Sequence, residues 1–212
     1  MTATVTIVDY DCGNLFSVSH AIGHCGGRVE LATEPEHITS AERLILPGVG
    51  AFGAAMNALR ERRLIETIHA FVAKERPFLG ICVGMQAMMD YSEEFGRHEG
   101  LGLIPGHVTA IPDTAADGAP HQVPHMGWSD IEETGNGWKE TPFQDTRNSE
   151  AFYFVHSYNA APTKPEHLLA TCDYNGQRIS AAITRDNMTG CQFHPEKSGP
   201  AGLNIMKNFL NL

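Results

Sequence analysis

Short apolar runs and amphipathic helical repeats alternate through the first 82 residues, and no other feature limits the possible folds as much. Residues 5–9 read as a buried strand, followed by a helical stretch from Asn14 to about His24 and strands over 28–32 and 43–46. Phe52, Met56 and Leu59 recur at i, i+4, i+7, and Leu64, Ile68, Phe71 and Val72 repeat that spacing, which predicts two helices each packed by one face. Pro77 stops the second helix, and residues 78–82 form the next strand. Strand–helix alternation of this kind implies parallel pairing through crossover helices, hence an α/β layered domain.

The second half changes character. Strand patterns dominate over 101–104, 107–111, 123–131, 152–157, 168–174, 178–184 and 188–193, and Asn175-Gly176 predicts a type I′ hairpin. Residues 200–210 place Leu203, Met206 and Leu210 on one helical face. Residues 114–122 form a small-residue loop that reads as an insertion and is too short for a domain linker. With 212 residues, no repeat and no linker, one domain over 1–212 is expected.

Charge and hydropathy exclude several classes of function. Against 25 acidic residues stand 15 Lys and Arg, a net charge of −10, and no basic cluster exceeds Arg62-Arg63. Such a chain is repelled by phosphate backbones, so no nucleic-acid partner is expected. No apolar run approaches the roughly 20 residues of a spanning helix, and the opening residues reach Asp9 without a basic, signal-like start. A cytoplasmic chain with no membrane partner is expected. Its five cysteines are an odd number without a C-x-x-C pair, which suits free thiols in a reducing compartment.

One of those thiols sits in a special context. In Gly80-Ile81-Cys82-Val83-Gly84-Met85-Gln86 a nucleophile lies between glycines where a strand gives way to a helix. That is the elbow arrangement, in which a tight turn pushes the side chain outward and the next amide faces a developing oxyanion. A helix N-terminus also favours thiolate. The bland alternative is a core cysteine in a glycine-rich turn. A thiol nucleophile needs a base, and the base needs an orienter. Gln192-Phe193-His194-Pro195-Glu196 supplies both: in an extended segment His194 and Glu196 point to one side, with Pro195 keeping the backbone stiff. A surface His-Pro-Glu turn is the alternative.

Gly48, Gly50 and Gly53 match G-x-G-x-x-G between a strand and a helix. A dinucleotide site would expect an acid about 20 residues on, at the end of the following strand, and that strand ends at Cys82 instead. A flexible glycine-rich segment whose amides turn toward an oxyanion remains, beside a plain βα turn. His20 and His24 lie at i, i+4, but no H-E-x-x-H and no distant cysteine pair accompanies them. The same holds for His121 and His125, so no metal is expected. Trp128 reads equally as a core aromatic or an interface anchor.

Taken in order, these pieces resemble the class I (triad) glutamine amidotransferases. The matching stretches run nearly end to end: Val8-Asp9-Tyr10 with Gly13-Asn14-Leu15, Leu46-Pro47-Gly48-Val49-Gly50, Gly80 through Gln86, Gly100 through Gly106, Val123 through Trp128, Tyr153 through Tyr158, and Gln192 through Ser198. The elbow and His-Pro-Glu are shared across the class. The His-Met-Gly-Trp stretch and the trailing Lys-Ser resemble the branch whose glutaminase subunits serve a cyclase of histidine biosynthesis.

The resemblance implies a flavodoxin-like layered fold with a mixed, largely parallel central sheet and extra antiparallel strands in the C-terminal half. It implies hydrolysis of L-glutamine without a cofactor, with Cys82, His194 and Glu196 as triad, and Val49, Gly50 and the Val83 amide around the oxyanion. Gln86, Ser157 and Tyr158 would hold the substrate. Asn14, Trp128 and Lys197 would lie near the interface with a (β/α)8-barrel cyclase subunit in a heterodimer. Two departures are Ser129, where the family usually has asparagine, and Val83, where it usually has leucine. The rival readings are an amidotransferase subunit of another pathway, a cysteine hydrolase or peptidase on a similar elbow, and a catalytically silent binding module.

Overall fold

The computed structural model describes residues 2–135 and 137–212. Its first half runs β1 (Thr4–Val8), α1 (Leu15–His24), β2 (Arg28–Ala32), α2 (Pro35–Ser40), β3 (Leu44–Gly48), α3 (Phe52–Glu61), α4 (Ile65–Val72), β4 (Phe78–Cys82) and α5 (Val83–Ala87). Then come β5 (Tyr91–Ser92), β6 (His98–Glu99), β7 (Gly106–Ala110), β8 (His125–Glu133), β9 (Glu150–His156) and β10 (Tyr158–Pro162). The chain closes with β11 (Leu168–Tyr174), β12 (Gln177–Arg185), β13 (Met188–Cys191) and α6 (Gly199–Asn211).

A nine-stranded sheet takes the order β2-β1-β3-β4-β13-β12-β11-β8-β9. From β2 to β13 the neighbours are parallel, and from β13 to β9 they are antiparallel. The parallel strands are the apolar runs of the first half: β3 and β4 are buried along their whole length, as strands covered on both faces must be. Asn175 and Gly176 both adopt positive φ, 54° and 78°, between β11 and β12, the type I′ geometry expected there. Phe52, Ala55, Met56 and Leu59 form the buried stripe of α3, and each large apolar side chain so buried adds about 1.5–3 kcal/mol.

A second sheet, ordered β10-β7-β5-β6, was anticipated only at β7, where a strand over 107–111 was expected. The chain leaves the large sheet at the end of β9 and enters the small one at β10, with only Ser157 between. Residues 101–104 are the clearest departure from expectation. Leu101, Leu103 and Ile104 are buried, but form no strand. Their amides donate to Ala87 and Met88 carbonyls, with Gly102 donating to Met89, so the segment closes off the end of α5 and has no amides left for a ladder. β13 also stops at Cys191, two residues earlier than predicted.

Candidate active site

Cys82 ends β4 and precedes α5 with φ 55° and ψ −113°, a conformation L-residues rarely occupy and one held only by surrounding structure. Close packing provides that hold. A Cβ on Gly84 would lie 1.8 Å from the Leu46 carbonyl oxygen, and one on Gly48 would lie 2.6 Å from the Gly84 nitrogen. The two glycines therefore let the buried α5 sit directly on β3. Because Gly48 pairs with Cys82 across the β3–β4 ladder, the segment beginning at Val49 emerges beside the sulfur. The Tyr10 hydroxyl donates to the Pro47 carbonyl at 2.6 Å and pins the approach to that segment.

The second half of the site arrives on β13. Cys191 pairs with Ile81 in parallel register, so the continuation of β13 through Gln192 to His194 runs out alongside Cys82. His194 Nδ1 and Glu196 Oε1 are 2.9 Å apart, and the side chains are 3% and 1% exposed. A carboxylate accepts, so Nδ1 carries the proton. The segment from Pro195 to Lys197 is a 3-10 turn, where an extended segment was expected. The Lys197 amide and the Ser198 hydroxyl both donate to the His194 carbonyl and curl the chain there. The histidine and glutamate meet nonetheless. Burial pulls the His194 pKa down, but interactions with Cys82 and Glu196 outweigh it and carry the value up to about 9.

A cavity of about 350 Å³ brings Cys82 and His194 together. It is lined by Val49, Gly50, Cys82, Val83, Gln86, Ser157, Tyr158, His194 and Lys197, and also by Glu94, Pro124, Val155 and His156. Cys82 is only 5% exposed, and the cavity is its access to solvent. The Gln86 side-chain amide donates to the Tyr158 carbonyl at 3.1 Å and to Gln192 Oε1 at 2.9 Å, while Gln192 Nε2 donates to Cys82 Sγ at 3.7 Å. Burial pushes the Cys12, Cys25, Cys172 and Cys191 thiols up from their ordinary value, and none of these lines the cavity.

Glu94 and Gln192 were not singled out from sequence. Glu94 accepts from the Phe52 amide, capping α3, and the one hint of it was an acidic pair in the otherwise unassigned stretch between two strands. Gln192 stood inside the His-Pro-Glu motif without a role. Asn14 and Trp128 lie away from the cavity. Asn14 caps α1 by accepting from the Ser17 amide at 3.3 Å, and Trp128 stands 58% exposed on β8, edge-on to Tyr153. His20 and His24 border a separate hollow of about 260 Å³ beside α1.

Residues 6–212 match the family model described as "Glutamine amidotransferase class-I". The imidazole glycerol phosphate synthase subunit HisH 1 of Legionella pneumophila (strain Lens) is 48% identical over 99% of this chain and all of that protein. The subunit HisH of Lacticaseibacillus casei (strain BL23) is 47% identical over 97% of this chain and 94% of its own length. Among solved structures, PurLQS from Thermotoga maritima superposes with a TM-score of 0.76 over 100% of this chain and 99% of that one, at 18% identity, a likeness of fold.

Proposed function

Because this chain belongs to the class-I glutamine amidotransferase family, and within it to the HisH subunits of imidazole glycerol phosphate synthase, we propose that residues 1–212 act as a single glutaminase domain. It hydrolyses L-glutamine to glutamate and ammonia and hands the ammonia to a (β/α)8-barrel cyclase subunit, as one half of a cytoplasmic heterodimer in histidine biosynthesis. No helix among the described residues is long and apolar enough to cross a membrane.

The observation that carries the reading is that Cys82 and His194 line one cavity and interact, while the Glu196 carboxylate meets His194 Nδ1 at 2.9 Å. Cys82 sulfur attacks the side-chain carbonyl carbon of glutamine, with His194 holding the thiol proton. Negative charge develops on the carbonyl oxygen, where the Val83 amide and the amides of Val49 and Gly50 would receive it; one such donor is worth about 10²–10³ in rate. His194 then protonates the departing nitrogen, ammonia leaves, and a thioester remains on Cys82. Water, deprotonated by His194, attacks the thioester, and glutamate departs with the sulfur restored. Glu196 keeps the imidazole in the tautomer with its Nε2 toward the sulfur. Gln86, Ser157 and Tyr158 would seat the substrate, and Glu94, the carboxylate among the lining residues, suits its α-ammonium group.

Ammonia released into water protonates and loses its nucleophilicity, which favours direct transfer. Around the site, Trp128 and Met126 on β8 and Phe16 on α1 are large apolar side chains more than half exposed, as a docking face would be. Asn14, Trp128 and Lys197 are the residues assigned to it. Cys82→Ala tests the whole reading in the assembled complex. Glutamine-dependent synthesis should fall at least about a thousandfold, while added ammonium salts still feed the partner. Survival of glutamine-dependent turnover would show that another group is the nucleophile.

A further inference from the structure

Behind the cavity wall lies a series of buried hydrogen bonds whose direction can be worked out from one fixed end. The Tyr158 carbonyl can only accept, so His156 Nδ1, 2.8 Å away, carries a proton and donates. Burial, first of all, pushes the His156 pKa down to about 3, so the ring is neutral and its Nε2 is a lone pair. That lone pair faces His125 Nδ1 at 3.1 Å, which must therefore be the donor. Burial and the nearby His121 push His125 down to about 4, leaving its Nε2 as an acceptor in turn. The Ser129 hydroxyl, 2.8 Å from that nitrogen, donates to it. Reversing either ring would set two lone pairs or two protons against each other. The His125 ring is also stacked between Phe154 at 4.8 Å and Tyr174 at 4.1 Å, which fixes its plane.

Beyond Tyr158 the series continues to the sulfur. The same carbonyl accepts from Gln86, whose amide also donates to Gln192, whose amide donates to Cys82. His125, His156, Gln86 and Gln192 are all buried, so none of these groups can replace a lost partner with bulk water, and each is costly to leave unpaired. At the other end Ser129 is half-buried and adjoins the exposed Trp128 on β8.

We propose that Ser129, at the far end of a one-way relay of His125 and His156 whose tautomers the Tyr158 carbonyl fixes, is a positioning residue for glutamine hydrolysis: its hydroxyl holds the His125 ring in place and thereby steadies the Tyr158 carbonyl that anchors Gln86, Gln192 and the Cys82 sulfur. The proposal rests on Cys82 as the glutamine-attacking nucleophile. Nitrogen-15 NMR of histidine-labelled protein reads the tautomers directly. Both His125 and His156 should carry their proton on Nδ1, the less common form of a free neutral imidazole. In Ser129→Ala both rings should keep the Nδ1–H tautomer, while the His125 Nε2 resonance should move downfield because its lone pair has lost the hydroxyl donor. In the complex with the cyclase subunit, kcat for glutamine should then fall about fivefold, the worth of one net hydrogen bond, with KM held within about twofold. Ser129→Thr keeps the hydroxyl and should restore both the His125 Nε2 resonance and kcat. An Nε2–H proton on either ring of the unaltered protein overturns the proposal, as does a fully active Ser129→Ala or a Ser129→Thr no better than alanine. Failure of the underlying reading shows separately, as glutamine hydrolysis surviving in Cys82→Ala.

Discussion

At His194 two opposing influences meet inside one side chain. Burial disfavours the imidazolium, while the neighbouring sulfur and carboxylate favour it and win, taking the pKa from 6.5 to about 9. The folded state thus holds the proton more tightly than the unfolded chain. The stabilisation this brings is complete below the unfolded value near 6.5 and fades as pH rises through about 9. Glu196→Gln removes one of the two favouring partners, so His194 should titrate at lower pH in that variant, followed by its ring resonances. The stability gap between variant and unaltered protein should be widest near pH 6.5 and close toward pH 9. An unmoved His194 titration would mean that the carboxylate does not act on the ring. Tyr10 shows the simpler case: burial raises its pKa, so the hydroxyl stays a donor to Pro47.

Among the elements, α5 is the one whose place depends most on the absence of side chains. It is five residues long and buried throughout, so it draws little from helix propensity and much from contact with β3. Gly84→Ala would drive a methyl group into the Leu46 carbonyl oxygen. Overpacking of that kind costs about 1–3 kcal/mol, and backbone is less able to yield than a side chain. A loss at or above the top of that range is expected in denaturant unfolding, together with lost glutaminase activity; an alanine variant of unchanged stability would mean that α5 can lift off β3 freely.

This dependence also explains what could be read from sequence. Gly48, Gly80 and Gly84 are constraints of close contact and Gly50 one of backbone conformation, at φ 91°, all written as residue type, so the elbow and its neighbouring loop were legible. So was the hairpin at Asn175-Gly176, where local chemistry decides the turn. Residues 101–104 were not, because an apolar run looks the same whether its amides enter a ladder or cap a helix end. β5 and β6, two residues each, carry no period at all. Glu94 escaped notice for the same reason: its role comes from α3, more than forty positions earlier in the chain.

For the molecule as a whole, the exposed aromatic on β8 offers a direct reading of assembly. The chain has two tryptophans; Trp138 is buried at 6% exposure and Trp128 stands at 58%. Docking of the cyclase subunit should move Trp128 into an apolar setting and shift its emission to shorter wavelength, and Trp128→Phe should abolish that change. Emission that stays put on formation of the complex would place the interface elsewhere.

The position of β13 has a consequence for how such a protein is made. It is the last strand to leave the ribosome, yet it occupies the slot between β4 and β12, joining the parallel half of the sheet to the antiparallel half. Until it inserts, a nascent chain carries two open strand edges that invite pairing with other polypeptides. His194, the base we propose for Cys82, follows within three residues of the same strand. With His194 in that role, closure of the sheet and the onset of glutamine cleavage become one event, so an unfinished chain has nothing with which to squander the cell's nitrogen.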